Sequence, residues 1–211
     1  MDAIAGTGAG ILESFTTWQR AILEKLNRAD TTHLPRLREL VVPLQWPEDE
    51  LAYSPFPGRH PGMAGFAKAL VVDQSWQAFA AYERGLLARW GPVSTGRRAS
   101  PTPAGWFRLN WRSRGRHSTV DPAWFMKWYF NFDNTAGLAL HSYALPGYPA
   151  SHGCIRLLER DAIWLYEWGG EGTPLLVAGR YEYAGRPPWR TPESLARGIE
   201  LYAAGSMTTL P

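Results

Sequence analysis

The chain has one cysteine, Cys154, in the segment "SHGCIRL" (151–157). A thiol beside an imidazole can act as a nucleophile, because the imidazole takes the proton as the sulfur attacks. Without such help little thiolate exists at neutral pH, since an unperturbed thiol has a pKa of about 8.5. A lone cysteine is more often a small buried apolar residue. Gly153 favours the catalytic interpretation, because a tight turn there can aim successive amides at developing negative charge.

The candidate bases for this thiol are His33, His60, His117, His141 and His152. We favour His141, because it ends a predicted strand and is followed by a loop with proline and glycine that can fold back to Cys154. His152 is two residues from Cys154, but in an extended turn its side chain is expected to point to the far side. The other three lie in polar, loop-like sequence and are expected to be exposed.

A zinc site is the alternative for the same residues. His141, His152 and Cys154 could supply three ligands of a catalytic zinc. The chain has no HExxH or CxxC spacing, and no carboxylate lies between these residues. We therefore predict no metal and no organic cofactor.

The hydrophobic pattern predicts the elements that position these residues. Apolar residues recur every three or four positions over 11–27, which indicates one helix face. A helix is also predicted to end at Gly169, and Thr191 with Pro192 predicts the start of a short C-terminal helix. Short apolar segments bounded by turn residues predict six strands, at 70–72, 76–82, 86–90, 104–111, 137–143 and 173–179.

These elements predict a mostly β fold: an antiparallel β-sandwich or barrel-like domain with a few peripheral α-helices. The 11 tryptophans, 21 glycines and 17 prolines also favour a β-rich fold. We divide the chain into a partly helical N-terminal extension (1–66), a catalytic domain (67–180) and a C-terminal tail with a short helix (181–211).

Charge and hydropathy exclude several function classes. The net charge is +3, with 22 basic and 19 acidic residues. No basic run is interleaved with aromatic residues, so nucleic-acid binding is not expected. No segment approaches the roughly 20 apolar residues that span a bilayer, so no transmembrane segment is expected. The N-terminus does not resemble a signal peptide, which predicts a cytoplasmic protein or one from which a leader has been removed.

Several segments of the chain occur in the order found in one enzyme family. The first is "GPVSTGRRASPTPAGWFRL" (91–109), with Val-Ser-Thr-Gly followed by Thr-Pro-x-Gly-x-Phe. Next, "LALHSYALPGYPASHGCIRLLERDAIWLY" (138–166) combines a histidine strand, a signature loop and a helix, and "GTPLLV" (172–177) forms a closing strand. Together they resemble the catalytic domain of YkuD-type L,D-transpeptidases, which are bacterial cell-wall enzymes.

The resemblance implies a role for each residue around the thiol. Cys154 would be the nucleophile and His141 the base, with the backbone carbonyl of Ser142 orienting the imidazole. The amides of His152, Gly153 and Cys154 would form the oxyanion hole. These roles depend on His141 and Cys154 meeting across the loop.

Substrate contacts are implied for Arg156, Tyr143, Ser151 and Trp128. Arg156 would fix the loop or attract a substrate carboxylate, and a surface salt bridge is the alternative. Tyr143 stands near a position where many members have glycine, and the alternative for Ser151 is that it only caps the turn. Trp128 belongs to an aromatic stretch (121–132) that approaches the substrate channel in such enzymes, with core packing as the alternative.

The implied reaction is acyl transfer on peptidoglycan in the periplasm or cell envelope, by a monomer. The thiolate would attack the carbonyl at the L-centre of diaminopimelate, or an equivalent residue, in a donor tetrapeptide stem. The amine of a second stem would then resolve the thioester into a 3–3 cross-link. Water as acceptor would make the enzyme an L,D-carboxypeptidase, and a lipoprotein lysine would tether the outer membrane. Another cysteine peptidase and a non-catalytic peptidoglycan-binding protein are the alternatives.

Overall fold

The computed structural model describes residues 8–190 and 199–203. Its helices are α1 (Gly8–Glu13), α2 (Thr17–Asn27) and α3 (Glu159–Trp168). Its strands are β1 (Glu39–Pro43), β2 (Lys68–Asp73), β3 (Ala78–Glu83), β4 (Leu86–Ser94), β5 (Gly105–Arg108), β6 (Arg112–His117), β7 (Phe125–Asp133), β8 (Leu138–Ser142), β9 (Ile155–Leu157), β10 (Pro174–Ala178) and β11 (Ile199–Ala203).

Nine of these strands form one sheet in the order β5-β10-β2-β3-β4-β9-β8-β7-β6. The pairings β2–β10 and β8–β9 are parallel, and the other neighbours are antiparallel. The sheet curls on itself, because Phe107 of β5 and Phe132 of β7 lie near opposite ends of the strand order, yet their ring centroids are 5.2 Å apart. The predicted mostly β fold is confirmed, as a mixed sheet.

The inside of this curl is filled by one apolar cluster that also includes the inner face of α3. Leu70, Leu140 and Leu175 contribute from three strands, and Leu165 contributes from the helix; each is at most 1% exposed. Burial of this kind of side chain is worth about 1.5–3 kcal/mol each, so the cluster is a main source of stability. The predicted helix end is confirmed, since α3 stops before Gly169.

The N-terminal segment forms two helices, so the prediction of one helix over 11–27 is wrong at residues 14–16. Thr16 caps α2: its Oγ1 accepts from the Gln19 amide at 3.2 Å. The Gln19 side chain accepts from the Thr16 amide at 2.9 Å in return. This reciprocal capping box starts a new helix there.

The N-terminal extension packs on the domain through buried charged side chains of α2. Lys25, which is 1% exposed, donates from Nζ to the Trp90 carbonyl at 3.0 Å and pairs with Glu50. Glu24 pairs with Arg160 at the start of α3. A buried charge is tolerated only when it is paired, so these contacts fix how the extension sits on the sheet.

Near the C-terminus, β11 pairs antiparallel with β1 in a separate two-stranded sheet. The predicted C-terminal helix is therefore wrong where the structure describes it, at Ile199–Ala203, because β1 offers these residues a strand partner. Its first part, 191–198, lies outside the described residues. No helix of the described chain is both long enough and apolar enough to cross a membrane.

Candidate active site

The parallel pairing of β8 and β9 sets the position of Cys154. His141 lies opposite Arg156 in this register, and Leu140 lies opposite Ile155. Cys154 directly precedes β9, and the neighbouring strand β8 carries the imidazole of His141. Since side chains alternate along a strand, residues 154 and 156 are expected on one face, beside His141.

Cys154 and His141 both line a cavity of about 260 Å³. The residues predicted from sequence that line it are His141, Tyr143, Ser151, His152, Cys154 and Arg156. Cys154 is partly buried and packs against the edge of the apolar cluster. The loop of residues 143–153 does fold back as expected, because it returns the chain from the end of β8 to the start of β9.

The imidazole of His141 is held in one tautomer. Its Nδ1 lies 3.1 Å from the carbonyl oxygen of Ser142, and because a carbonyl only accepts, Nδ1 carries the hydrogen. Nε2 is then the basic nitrogen. The side chain is 4% exposed, and this burial lowers the pKa of His141 to about 4. The ring is therefore neutral at pH 7 and can accept a proton.

The thiol is also neutral at rest. Burial raises the pKa of Cys154, while a hydrogen bond with the Ala139 backbone and the charges of Arg156 and Arg116 lower it. Burial is the largest of these effects, so the net shift is upward. The cavity thus holds a neutral thiol and a neutral imidazole, and the thiol must lose its proton when the sulfur attacks.

The turn before Cys154 is stabilised by Ser151, which is 2% exposed. Its hydroxyl donates to the Cys154 carbonyl and accepts from the Gly153 amide at 3.1 Å. The Ser151 hydroxyl thus acts within the turn, as the capping alternative predicted, while the residue also lines the cavity. The Gly153 amide is likewise engaged within the turn, and the oxyanion role of the amides of His152 and Cys154 stays a prediction.

The Val-Ser-Thr-Gly segment at the end of β4 supports this turn from the other side. Ser151 forms a bridge with Gly96, and its amide donates to the Thr95 carbonyl at 3.1 Å. Thr102 joins the two segments, donating from Oγ1 to the Gly153 carbonyl at 2.8 Å and accepting from the Gly96 amide. These bonds hold the backbone around the thiol in one arrangement.

Arg156 holds the loop and also lines the cavity. Its guanidinium carbon lies 4.7 Å from the centre of the Tyr143 ring, and Nη1 donates to the Ala144 carbonyl at 3.4 Å. Within the described residues it forms no ion pair, so the surface salt-bridge alternative is not what the structure has. The guanidinium charge is therefore available to a ligand.

Two predicted residues lie differently from expectation. His152 does not point away: it lines the cavity, with its ring 4.8 Å from that of Trp124. Trp128 does not line the cavity, and its ring instead packs against Tyr166 of α3. The reason is a bulge in β7, where Trp128 has a φ of 54° and the register with β8 shifts. The shift places Tyr129 rather than Trp128 on the cavity side.

From the sequence, the aromatic stretch 121–132 was placed near the substrate channel with only Trp128 named in it, and Trp111 and Arg116 were missed. The wall that the β6–β7 hairpin contributes includes Trp111, Arg116, Trp124, Met126, Tyr129 and Asn131. The aromatic stretch was the available signal, but its facing residues depend on the bulge. In the described part of the chain, no group of three or more His, Cys, Asp or Glu residues is arranged to hold a metal ion.

Comparison with known proteins shows the family of the chain and solved structures of similar fold. Residues 67–177 match the family model of the YkuD L,D-transpeptidase catalytic domain. An L,D-transpeptidase from Stackebrandtia nassauensis superimposes with a TM-score of 0.53 and 25% identity, over 63% of this chain and 65% of that one.

A second similar structure is the L,D-transpeptidase LdtMt1 in complex with imipenem. It has a TM-score of 0.50 and 23% identity, over 53% of this chain and 59% of that one, and bears on the fold alone. The chain thus aligns with less than two thirds of the length of either protein. No match was found among curated proteins.

Proposed function

Because the chain belongs to the YkuD family of L,D-transpeptidase catalytic domains, we propose that it is a cysteine-dependent acyltransferase acting on peptidoglycan stem peptides. One observation carries the proposal. Cys154 and His141 line the same cavity, and the bond from His141 Nδ1 to the Ser142 carbonyl leaves Nε2 as the base. A thiol and a base in one cavity, with a backbone carbonyl that orients the base, are the parts of an activated nucleophile and support the proposal.

In the first step, Sγ of Cys154 bonds to the carbonyl carbon of the donor stem, and its proton passes to Nε2 of His141. The carbonyl electron pair moves to oxygen, where the amides of His152 and Cys154 stabilise the negative charge. When the oxyanion collapses, the C–N bond breaks and His141 returns its proton to the amine of the leaving D-alanine. A thioester on Cys154 remains.

In the second step, the amine of another stem attacks the thioester. His141, neutral again, removes the proton from that amine, and the sulfur leaves as a thiol after it regains the proton. The product is a 3–3 cross-link. Water in place of the amine gives an L,D-carboxypeptidase, and a lipoprotein lysine gives a tethered lipoprotein. The substrate implies that the protein works in the cell envelope.

The neutral resting pair supports this order of events. Burial lowers the pKa of His141 to about 4 and raises the pKa of Cys154, so both groups are uncharged before the reaction begins. The developing charges then appear only in the transition state, where a fixed environment is most effective. Arg156 lies two residues from the nucleophile and supplies a positive charge to a donor carboxylate.

The test is incubation of the protein with tetrapeptide muropeptides, with and without a second stem as acceptor, followed by chromatography and mass spectrometry. A cross-linked dimer that needs the acceptor supports transpeptidation, whereas conversion to tripeptide alone indicates hydrolysis. Cys154→Ala should abolish both. The matched control His60→Gln alters a histidine that packs on Tyr82, outside the cavity, and should turn over normally.

Parental turnover in Cys154→Ala would overturn the mechanism. Binding to sacculi with no change in the muropeptides would instead indicate a peptidoglycan-binding protein. LdtMt1 was solved with imipenem, so a carbapenem offers a second measurement. We expect one adduct on intact mass, located on Cys154 and absent from the alanine variant.

A further inference from the structure

The cavity around Cys154 has an unbalanced charge. Two arginines, Arg116 and Arg156, line it, and no aspartate or glutamate of the described chain does. His141, which also lines the cavity, is neutral at pH 7, because its pKa is about 4. A half-enclosed pocket with two cations and no anion attracts negatively charged ligands.

Arg116 is held in place by aromatic rings. Its guanidinium carbon lies 5.2 Å from the centre of the Trp111 ring and 5.0 Å from that of Tyr129. These two rings are themselves 5.1 Å apart, so they form one platform under the guanidinium. Stacking of this kind orients the planar group and leaves its N–H donors free at the edges.

The N–H donors of Arg116 have no partner among the described residues, either in a hydrogen bond or in an ion pair. The guanidinium is nevertheless half-buried, and its charge reaches the thiol, since it contributes to lowering the pKa of Cys154. A partly desolvated arginine with free donors, inside the cavity of the nucleophile, is arranged to bind an anionic group of the ligand.

We propose that Arg116 binds a carboxylate of the donor stem, and that the protein therefore selects donors in which this carboxylate is free rather than amidated. The inference rests on the proposed function and names the substrate class more narrowly. A planar carboxylate can accept two parallel bonds from a guanidinium, whereas an amide offers one acceptor and no charge.

The position of Arg116 says which carboxylate this is. Arg156 is on β9, next to the nucleophile, whereas Arg116 is on β6, three strands away. Three strand spacings are about 14 Å along the sheet, before the curl and the long side chains shorten the gap. We assign to Arg116 a carboxylate on the part of the donor that stays attached to Cys154, because Arg156 is the cation beside the nucleophile and Arg116 lies further along the sheet.

The same strand provides a matched control. Arg114 carries the same charge and also lies over an aromatic ring, with its guanidinium carbon 6.0 Å from the centre of Trp128. Trp128 faces α3, and Arg114 does not line the cavity. The variants Arg116→Gln and Arg114→Gln thus remove one positive charge each, the first inside the cavity and the second outside it.

The experiment measures kcat/KM for two tetrapeptide donors, one with the acyl-side carboxylates free and one with them amidated. The wild type and Arg114→Gln should prefer the free donor about 10- to 100-fold, the range of a lost charge-assisted hydrogen bond. Arg116→Gln should bring the ratio of the two kcat/KM values close to one. Arg116→Lys, which keeps the charge without the planar fork, should give an intermediate ratio.

Equal kcat/KM for the two donors in the wild type would overturn the inference and leave the proposed function standing. The same holds if Arg116→Gln slows both donors by one factor and keeps their ratio, because the arginine would then act on the thiol or on the fold. Absence of turnover on both donors by the wild type is a different result, which overturns the proposed function and this inference with it.

Discussion

The carboxylate of Asp30 accepts a hydrogen bond from the amide of Leu145, with 2.8 Å between Oδ2 and the nitrogen. The two residues are joined in the other direction as well, since the Asp30 amide donates to the Leu145 carbonyl at 3.0 Å. Next to them, Ala29 forms a bridge with Pro146. The N-terminal extension is therefore attached to the loop that connects His141 with Cys154.

This attachment predicts that Asp30→Ala slows the reaction. The variant leaves the Leu145 amide without its acceptor, so the loop can shift, and a misplacement of about 1 Å can cost about 100-fold in rate. We expect kcat/KM for donor muropeptides to fall about tenfold or more, measured well below the unfolding temperature.

Asp49→Ala is the matched control for Asp30→Ala. Asp49 also belongs to the extension and also accepts from a backbone amide, that of Leu51 at 2.8 Å, but it does not contact the loop. Both variants should lose some thermal stability. Equal kcat/KM in the two variants would show that Asp30 contributes to folding and has no part in positioning the loop.

The uncharged state of the Cys154–His141 pair predicts how alkylation depends on pH. Iodoacetamide reacts with thiolate, and burial raises the pKa of Cys154 above its ordinary value. The alkylation rate should therefore keep rising through pH 8 and show no plateau at pH 5–7. It is followed by intact mass at a series of pH values.

The contrary result is a rate that has levelled off by about pH 6. That profile would mean a resting thiolate paired with a protonated imidazole, with the pKa of His141 raised instead of lowered to about 4. His141→Ala distinguishes the two cases. Loss of a neutral ring should move the thiol pKa by less than about one unit, whereas loss of an imidazolium should raise it by more.

Much of this domain could be predicted from the sequence, because the local pattern there agrees with the fold. The alternation over 137–143 predicted β8 with His141 at its end, and Gly169 predicted the end of α3. The N-terminal pattern was misleading, since its apolar period continues through Thr16, where a capping box starts a second helix.

Other elements depend on tertiary contacts that the local pattern does not contain. β9 has three residues and exists because β4 and β8 flank it on both sides. β7 is aromatic on both faces, so its alternation does not show which face is turned inward. The bulge at Trp128 turns Tyr129 toward the cavity instead of Trp128. Arg116 was not predicted from the sequence either, because it packs in the cavity on Tyr129, whose orientation depends on that bulge.

The buried carboxylate of Asp161 predicts a large cost for removing its partner. Asp161 is fully buried, and Arg89 donates to its Oδ1 from Nε at 2.8 Å and from Nη2 at 2.6 Å. Arg89→Met leaves the carboxylate without its cation, which typically costs about 3–5 kcal/mol. We expect this loss in the free energy of unfolding, measured in urea at pH 7.

An exposed ion pair at the start of α3, the helix that contains Asp161, serves as the comparison. Lys127 and Glu159 are joined at 3.3 Å, and their side chains are 55% and 52% exposed. Lys127→Met should cost less than about 1 kcal/mol, because water screens such a pair. If Arg89→Met costs no more than Lys127→Met, the buried ion pair is not a stabilising element.

The backbone of Gly153 predicts that a single methyl group will impair the site. Gly153 has a φ of +118°, and a Cβ there would lie 2.9 Å from Cδ2 of Leu138. In Gly153→Ala the turn must change conformation, which costs about 1–3 kcal/mol and displaces the amides of His152 and Cys154. Because losing one oxyanion donor costs about 10²–10³ in kcat, we expect a fall of about 100-fold on donor stems.

Gly172→Ala separates backbone strain from the effect on the site. Gly172 has a φ of +83°, and a Cβ there would have no neighbour within 4 Å. This variant should lower the melting temperature while its kcat stays within about twofold of the wild type, because Gly172 precedes β10 and does not line the cavity. If Gly153→Ala keeps the kcat of Gly172→Ala, the turn does not supply the oxyanion donors, and the stabilising groups must be sought elsewhere in the cavity, beginning with the two arginines.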